Sequence, residues 1–417
     1  MNELRQDANA IIRSALLAAQ PDTAVQKALS QLEIVPGGRL LVIALGKAAW
    51  QMARAAHNAL GAAITQGLVI TKYGHSGGEI QGFTVREAGH PVPDSQSFAA
   101  TKEALDLARG LSSRDTVLLL ISGGGSALFE MPLISADELA DITRQLLASG
   151  ADIREMNTIR KRLSAVKGGR FALACQPARV VSIILSDIIG DPLDMIASGP
   201  ACPDASTTED ARRIAARYGL RLSEAARALL DRETPKELPH VTSLVTGSVG
   251  QLCEAAARTA KDLGYRPCVL TASLACQARE AGRFLGAIAQ YHQDSPDSLA
   301  FIAGGETVVR LQGNGRGGRN QELALAAALE LDGLTGVALF SLGSDGTDGP
   351  TDAAGGYVDG QTAARLRQAG IDPIAMLDNN DAYPALQAVD GLLMTGPTGT
   401  NVNDISVLLI RGREGVK

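Results

Sequence analysis

Residues 116–126 read TVLLLISGGGS, and their reading decides the fold. The first half is apolar throughout rather than alternating. A strand covered on both faces reads this way, because neither set of its side chains meets water. The strand runs straight into a serine and three glycines. Glycine at a strand end lets backbone N–H groups approach an anion, and a following helix N-terminus adds partial positive charge. Three consecutive glycines lower local order unless something is bound, which favours a phosphate cradle over a plain turn. Ser122, Gly123, Gly124, Gly125 and Ser126 are therefore candidate phosphate-binding residues. The stretch is neither GxGxxG nor the GxSxG of a nucleophile elbow.

Outward from this point the same pattern repeats. RLLVIAL (39–45) and VVSIILSD (180–187) are apolar throughout, and GLVIT (67–71) and FTVREA (83–88) are further strands. Helical stretches at 3–20, 47–60, 95–109, 135–149 and 164–175 separate them. Strand–helix alternation predicts a mostly parallel sheet with right-handed crossovers. The polar stretch DRETPKELPH (231–240) closes this series, and a domain boundary is expected near 235–242. A second series follows: strands SLVTGS (243–248), PCVLTA (267–272), LAFIAGGETVVRL (299–311), VALFSLGSD (337–345) and ISVLLIRG (405–412), with helices at 250–263, 276–291, 319–331, 360–369 and 380–389. The expected architecture is α/β: two three-layer α/β/α domains with mainly parallel sheets, residues 1–240 and 241–417, the final residues free to pack back on the first domain.

Composition narrows the function. The 417-residue chain holds 45 glycines, against about 29 at average usage. It has 7 Phe, 6 Tyr and 1 Trp, so its core is aliphatic and base stacking has little to work with. With 39 basic and 45 acidic residues it lacks a basic footprint for nucleic acid. No apolar run reaches the ~18–20 residues of a membrane span, and the N-terminus lacks the basic-then-apolar order of a signal peptide. Five cysteines without a CxxC pair read as reduced thiols in a cytoplasm.

The glycines cluster after the strands, and charged residues keep them company. Gly46 ends a strand and Lys47 opens a helix. A lysine there opposes the helix dipole but is useful beside a bound phosphate, with a solvated lysine as the other reading. MNTIRKRLSAVKGGRFA (156–172) carries Arg160, Lys161, Arg162, Lys167 and Arg170, either a solvated basic face or an anion site. Asp187, Asp191 and Asp194 follow another strand end. They suit Mg²⁺, which takes a few carboxylates with phosphate oxygens and water, or they cap turns. Glu306, Arg316 and Arg319 flank a glycine-rich stretch at 313–318, and arginine suits bidentate recognition of carboxylate or phosphate. Asp345, Asp348 and Asp352 fall in SLGSDGTDGPTD, which lacks the last glutamate of a calcium loop. TGPTGTNVNDI (395–405) is a polar turn rich in backbone donors. His90, in GHPVPD, reads as structural. Anion cradles and scattered carboxylates with no nucleophile fit phosphoryl transfer, which needs positioning and charge more than covalent chemistry.

Taken in order, ALGKAA, GHPVPD, ISGGGSALFEMP, MNTIRKRLSAVKGG, LSDIIGDPLDMIASGP, GGETVV, GRGGRNQELALA, GSDGTDGPTDAAGG and TGPTGTNVNDI span 44 to 405. As a set they resemble the glycerate 2-kinase family with a C-terminal MOFRL domain, whose members are also labelled hydroxypyruvate reductases of tartrate utilisation. The resemblance implies a Rossmann-like first domain, a MOFRL-type second domain and an active-site cleft between them. It implies ATP- and Mg²⁺-dependent phosphorylation of D-glycerate at its 2-hydroxyl, by a cytoplasmic monomer or homodimer. Lys47, Asp187 and Arg319 are the implied catalytic residues. Arg160, Arg316 and the 122–126 loop are the candidate substrate- and nucleotide-binding residues, and Asp187, Asp191, Glu306 and Asp345 the candidate metal contacts. Two other classes remain beside it: an NAD(P)H-dependent hydroxypyruvate reductase, against which stands the missing dinucleotide fingerprint, and a non-catalytic anion-binding protein, which leaves the aspartates without a role.

Overall fold

The computed structural model describes residues 3–32 and 37–413. Six strands form the first sheet: β1 (Leu40–Leu45), β2 (Gln66–Lys72), β3 (Phe83–Ala88), β4 (Thr116–Ile121), β5 (Arg179–Leu185) and β6 (Val241–Gly247). Their order is β3-β2-β1-β4-β5-β6. β1 pairs in parallel with both β2 and β4, β2 with β3, and β4 with β5. Alternate residues of the central strands feed two separate cores. Leu41, Ile43, Leu45, Val117, Leu119 and Ile121 pack with Phe129 and Phe171 on one face. Leu40, Val42, Ala44, Leu118 and Leu120 pack with Trp50 and Met52 on the other. Covering both faces with helices is what removes the polar alternation from these runs.

The chain winds from β1 outward through β2 to β3, then returns to β4 and winds the other way. The order therefore reverses between β1 and β4. Ligands of open α/β sheets sit at such a switch point, beyond the carboxyl ends of the strands. Gly46, Lys47 and the glycine triplet all follow these two strands.

The second sheet holds β7 (Arg266–Leu274), β8 (Leu299–Gly305), β9 (Val337–Gly343), β10 (Gly355–Asp359), β11 (Leu392–Leu393) and β12 (Asp404–Ile410), in the order β11-β10-β9-β12-β8-β7. β7, β8, β9 and β11 share one direction. β10 and β12 run against it, with β12 inserted between β8 and β9. This sheet is mixed rather than uniformly parallel. A central antiparallel strand is buried on both faces just as a parallel one is, so the apolar run of β12 carries no signal of direction. Its Ile405, Val407 and Leu409 face the helix Val249–Asp262, while Leu408 and Ile410 face the helices Ala278–His292 and Arg319–Glu330. With few aromatics to fill space, those two helices lie close together. A Cβ at Gly282 would overlap the Leu323 carbonyl.

The described residues divide into a first unit, 24–246, and a second unit, 3–23 with 247–413. Two stretches lie elsewhere than expected. SLVTGS, expected to open the second domain, is β6 and extends the first sheet. The helix Glu3–Ala18, expected in the first domain, packs Leu4, Ala8, Ile11 and Ala15 against Leu252, Cys253 and Ala256 of the second unit. An amphipathic rhythm states that a helix needs an apolar surface, not which one. The strand expected over 299–311 ends at Gly305, and the stretch 164–175 holds only the short helix Arg170–Ala174. β12 keeps the C-terminal stretch in the second sheet as far as Ile410, and residues 414–417 lie outside the described residues. Among the described residues no helix is long and apolar enough to cross a membrane.

Candidate active site

In the first unit the loops after β1 and β4 are bonded to each other. The Lys47 N–H donates to the Gly123 carbonyl at 2.8 Å. The Ala48 N–H donates to Ser122 Oγ at 3.0 Å, and that hydroxyl donates to the Leu45 carbonyl at 3.3 Å. Ser122 is therefore a brace between the two loops. Gly46, at φ +115°, is required here, since a Cβ would overlap the backbone and hydroxyl of Ser122. Gly123 sits directly against the Asp187 carboxylate, which a Cβ would overlap. Gly124, at φ +86°, faces Lys47 and His90: a Cβ would lie 3.2 Å from Lys47 Cγ and 3.1 Å from His90 Nε2. The carboxyl ends of β1, β3, β4 and β5 thus bring Lys47, His90, the glycines and Asp187 to one place. Burial, with Lys47, Lys72 and His75 adding to it, holds the His90 imidazole below its ordinary value. A neutral imidazole results at pH 7, able to accept or donate one hydrogen bond.

The basic stretch behind this loop is buried rather than solvated. Lys167 is fully buried, paired at 3.2 Å with the equally buried Glu130. Its Nζ also donates to the carbonyls of Ser126 at 2.7 Å and Phe129 at 3.1 Å. Arg160 Nη2 donates to the same Ser126 carbonyl at 3.3 Å. Ser126 Oγ shares a hydrogen bond with Ser198 Oγ, which donates to Asn157 Oδ1. Lys161 joins Asp194 and Asp204, and Arg162 joins Glu233 and the Ser206 backbone and hydroxyl. Desolvation pulls the Lys167 ammonium down to about 8. Most of these cations hold the protein together, and two of them fix the end of the glycine loop. Composition could not separate the two uses, because a buried ion pair and a solvated basic face have the same residue content.

After β5, Asp187 and Asp191 share a loop with Asp194. Asp191 takes φ +50°, and its Oδ1 is buried without a hydrogen-bond partner among the described residues. Asp194 belongs to the Lys161 pair.

In the second unit, Arg319 opens the helix Arg319–Glu330. Its Nε and Nη2 donate to the two oxygens of Asp404 at 2.6 and 3.0 Å, and Nη1 donates to Glu306 at 2.9 Å. Asn403 Nδ2 donates to the other Glu306 oxygen at 3.2 Å. Burial works against the Arg319 charge, but the Asp404 carboxylate outweighs it and raises the guanidinium above its ordinary value. Asp348 receives the N–H groups of Asn320 and Gln321 at the start of the same helix. Asp345 holds Thr347 through its N–H and hydroxyl. Arg316 lies elsewhere, over the Tyr383 ring at 4.2 Å from its centroid and 3.7 Å from Asp352. Glu306 and Asp345, expected as metal contacts, are thus engaged within their own unit. No three His, Cys, Asp or Glu side chains among the described residues gather as a metal-binding group. Sequence reading missed Asp404 and Asn403. Their only signal was a polar pair at the head of the apolar run of β12, inside a segment read as a turn.

Comparison with known proteins adds the rest. Residues 7–231 match a family described as a domain of unknown function (DUF4147), and residues 299–404 match the MOFRL family. The chain is 51% identical to the D-glycerate 2-kinase of Thermotoga maritima, over 98% of each chain. It is 42% identical to the glycerate 2-kinase of Pyrococcus horikoshii, over 99% of each. The crystal structure of glycerate kinase from Thermotoga maritima superposes with a TM-score of 0.93 at 50% identity, covering 98% of this chain and 99% of that one.

Proposed function

The chain belongs to the glycerate kinase family, and from that premise we propose that it transfers the terminal phosphoryl group of ATP to the 2-hydroxyl of D-glycerate. The observation that carries this reading is the 51% identity to a D-glycerate 2-kinase along essentially the whole of both chains. The site chemistry supports it. Phosphoryl transfer asks for fixed cations, carboxylates and a backbone cradle, and those are what the strand ends carry. The glycerate 2-oxygen forms a bond to the γ-phosphorus as the bond from phosphorus to the bridging oxygen breaks. ADP leaves, and the hydroxyl proton passes to a carboxylate, for which Asp187 is our candidate.

Lys47 lies beside Gly124, which supports its role as the cation that offsets developing phosphoryl charge. Gly123 and Gly124 form the cradle that Ser122 braces and that Lys167 and Arg160 fix from behind. A guanidinium has five donors. Three of those on Arg319 are used by Asp404 and Glu306, which leaves two for a carboxylate or phosphoryl oxygen and holds them in a set orientation. The loop after β5 fits a Mg²⁺ ion at Asp191, with Asp187 either its second carboxylate or, left off the metal, the proton acceptor. Asp191 Oδ1, buried and without a hydrogen-bond partner among the described residues, is an oxygen suited to a cation, and Mg²⁺ needs only one or two carboxylates when phosphate oxygens and water complete its shell. Mg²⁺ bound there would neutralise phosphate charge.

The test is a parallel assay. The protein is incubated with D-glycerate, MgCl₂ and ATP, and the product is followed by ³¹P NMR, where coupling to the C2 proton identifies the 2-phosphate. A second sample follows NADH absorbance with hydroxypyruvate. ATP-dependent 2-phosphoglycerate is expected. NADH consumption without a phosphorylated product would replace the kinase with a reductase, and neither reaction would favour an anion-binding protein. Lys47→Ala is expected to lower turnover on the order of 10²–10³-fold, the scale of one lost charge-stabilising donor. The contacts that shape its loop are main-chain and survive the substitution.

A further inference from the structure

Within the second unit a cavity of about 660 Å³ lies along the glycine-rich stretch 313–318. Its size falls in the ordinary range for small-molecule sites, roughly 300–1,000 Å³. Val308, Val309, Leu311 and Ala382 supply aliphatic wall, and its lining holds no aromatic side chain among the described residues. Val308 and Leu311 are 55% and 80% exposed, large apolar side chains left facing solvent around a concave site.

Thr307 and Glu322 are buried polar residues within that lining. Thr307 is 4% exposed, and its hydroxyl has no hydrogen-bond partner among the described residues. A buried hydroxyl without a partner carries a desolvation cost that a ligand hydrogen bond would remove. Glu322 is 5% exposed and is held by Asn380, whose Nδ2 donates to Glu322 Oε2 at 3.1 Å. Asn380 is itself locked: its Oδ1 accepts from the N–H groups of Gln312 and Gly313, and its Nδ2 reaches the Arg310 carbonyl. Gly313 and Gly315 let the stretch lie against Asn379 and Asp381, so this part of the wall is set by packing. Burial raises the Glu322 carboxyl above its ordinary value. In its protonated form such a carboxyl both donates and accepts. That matches the edge of a purine, where a ring nitrogen acceptor adjoins an exocyclic amine donor. Arg319 lines the same cavity, so a ligand with its base there has a guanidinium within its envelope for phosphate.

We propose that this cavity receives the purine base of the nucleotide, between the aliphatic side chains of Val308, Val309, Leu311 and Ala382, with Thr307 and Glu322 meeting its polar edge. The proposal rests on the kinase reading and names a subsite for it. An aliphatic sandwich is what a chain with so few aromatics has to offer a flat heterocycle.

The experiment is calorimetric titration of the whole protein with MgADP and, separately, with magnesium pyrophosphate, which has the phosphates but no base. Three proteins are compared: the parent, Glu322→Leu and Val308→Trp. The second variant fills the mouth of the cavity from an exposed position, so it tests the site even if Glu322→Leu fails to fold. Each folded variant is expected to bind MgADP about tenfold or more weakly, with pyrophosphate affinity unchanged. Unchanged MgADP affinity in Val308→Trp, or equal losses for MgADP and pyrophosphate, overturns the proposal. The titration involves no turnover. A parent protein that binds MgADP through this cavity but phosphorylates nothing would therefore sink the kinase reading alone, and an active kinase whose MgADP affinity ignores Val308→Trp would sink the subsite alone.

Discussion

The Arg319 guanidinium holds the Asp404 carboxylate through two hydrogen bonds, Nε to Oδ2 at 2.6 Å and Nη2 to Oδ1 at 3.0 Å, across 85 positions of sequence. Asp404 is almost wholly buried and Arg319 is not, so the pair presents a cation at the surface from an anchored base. Arg319→Lys keeps the charge but not the fork. Turnover in the glycerate assay is expected to fall on the order of 10²–10³-fold. A variant with the parent's kcat and KM would remove Arg319 from the catalytic set.

Gly123 carries a second prediction. Its Cβ position is occupied by the Asp187 carboxylate. Gly123→Ala must push that carboxylate aside, while the sheet core beneath is untouched. Activity is expected to drop by at least about 10²-fold, the effect of a small misplacement of a reacting group, with the thermal midpoint within a few degrees of the parent. Full activity would show that Asp187 need not occupy this position.

Lys167 and Glu130 form a pair with no exposed surface on either side chain. Lys167→Met leaves Glu130 buried and uncompensated, and is expected to cost about 3–5 kcal/mol in denaturant unfolding. The double variant Lys167→Met/Glu130→Leu should recover most of that loss, since replacing a buried pair by apolar side chains is often neutral. A double variant as unstable as the single one would show that the bonds from Lys167 to Ser126 and Phe129 carry the stability instead.

Asp348 is 3% exposed, and burial pushes its carboxyl up to about 6 despite the N–H groups of Asn320 and Gln321. The folded value exceeds the unfolded one of 3.8. Stability from the bound proton is therefore full below about pH 4 and lost as pH rises through about 6. Across that window Asp348→Asn, which cannot titrate, should gain up to about 3 kcal/mol on the parent. Parallel stability–pH curves for the two proteins would refute the assignment.

Much of the first unit was legible because burial on both faces writes itself into local composition. β1, β4 and β5 are apolar from end to end, and the glycines that follow them mark where the chain must approach itself closely. Gly46, Lys47, Gly123, Gly124 and Asp187 were all found by this route, and the structure brings them together. Ser122 was read as a ligand-binding residue, and the structure adds that its hydroxyl bonds Ala48 and Leu45; a strand-end serine beside glycines looks the same in sequence whether it meets a ligand or braces a loop. The basic run around Lys167 was visible, but its burial was not. β10 and β11 were missed because GGYVD is short and glycine-rich and LL is too short to show a period.

By itself the sequence determined the layered α/β character, the aliphatic cores and the positions of the glycine-rich loops at the strand ends. All of these follow from which residues sit next to each other along the chain, since strand and helix periods and glycine turns are local. Only the tertiary structure decided that β12 enters its sheet antiparallel, that the helix Glu3–Ala18 covers the second sheet, that β6 belongs to the first, and that Arg319 is held by Asp404. Each of those choices is made by contacts between segments far apart in sequence. An apolar face or a charged side chain states that it requires a partner, and the packing of the whole unit selects which one.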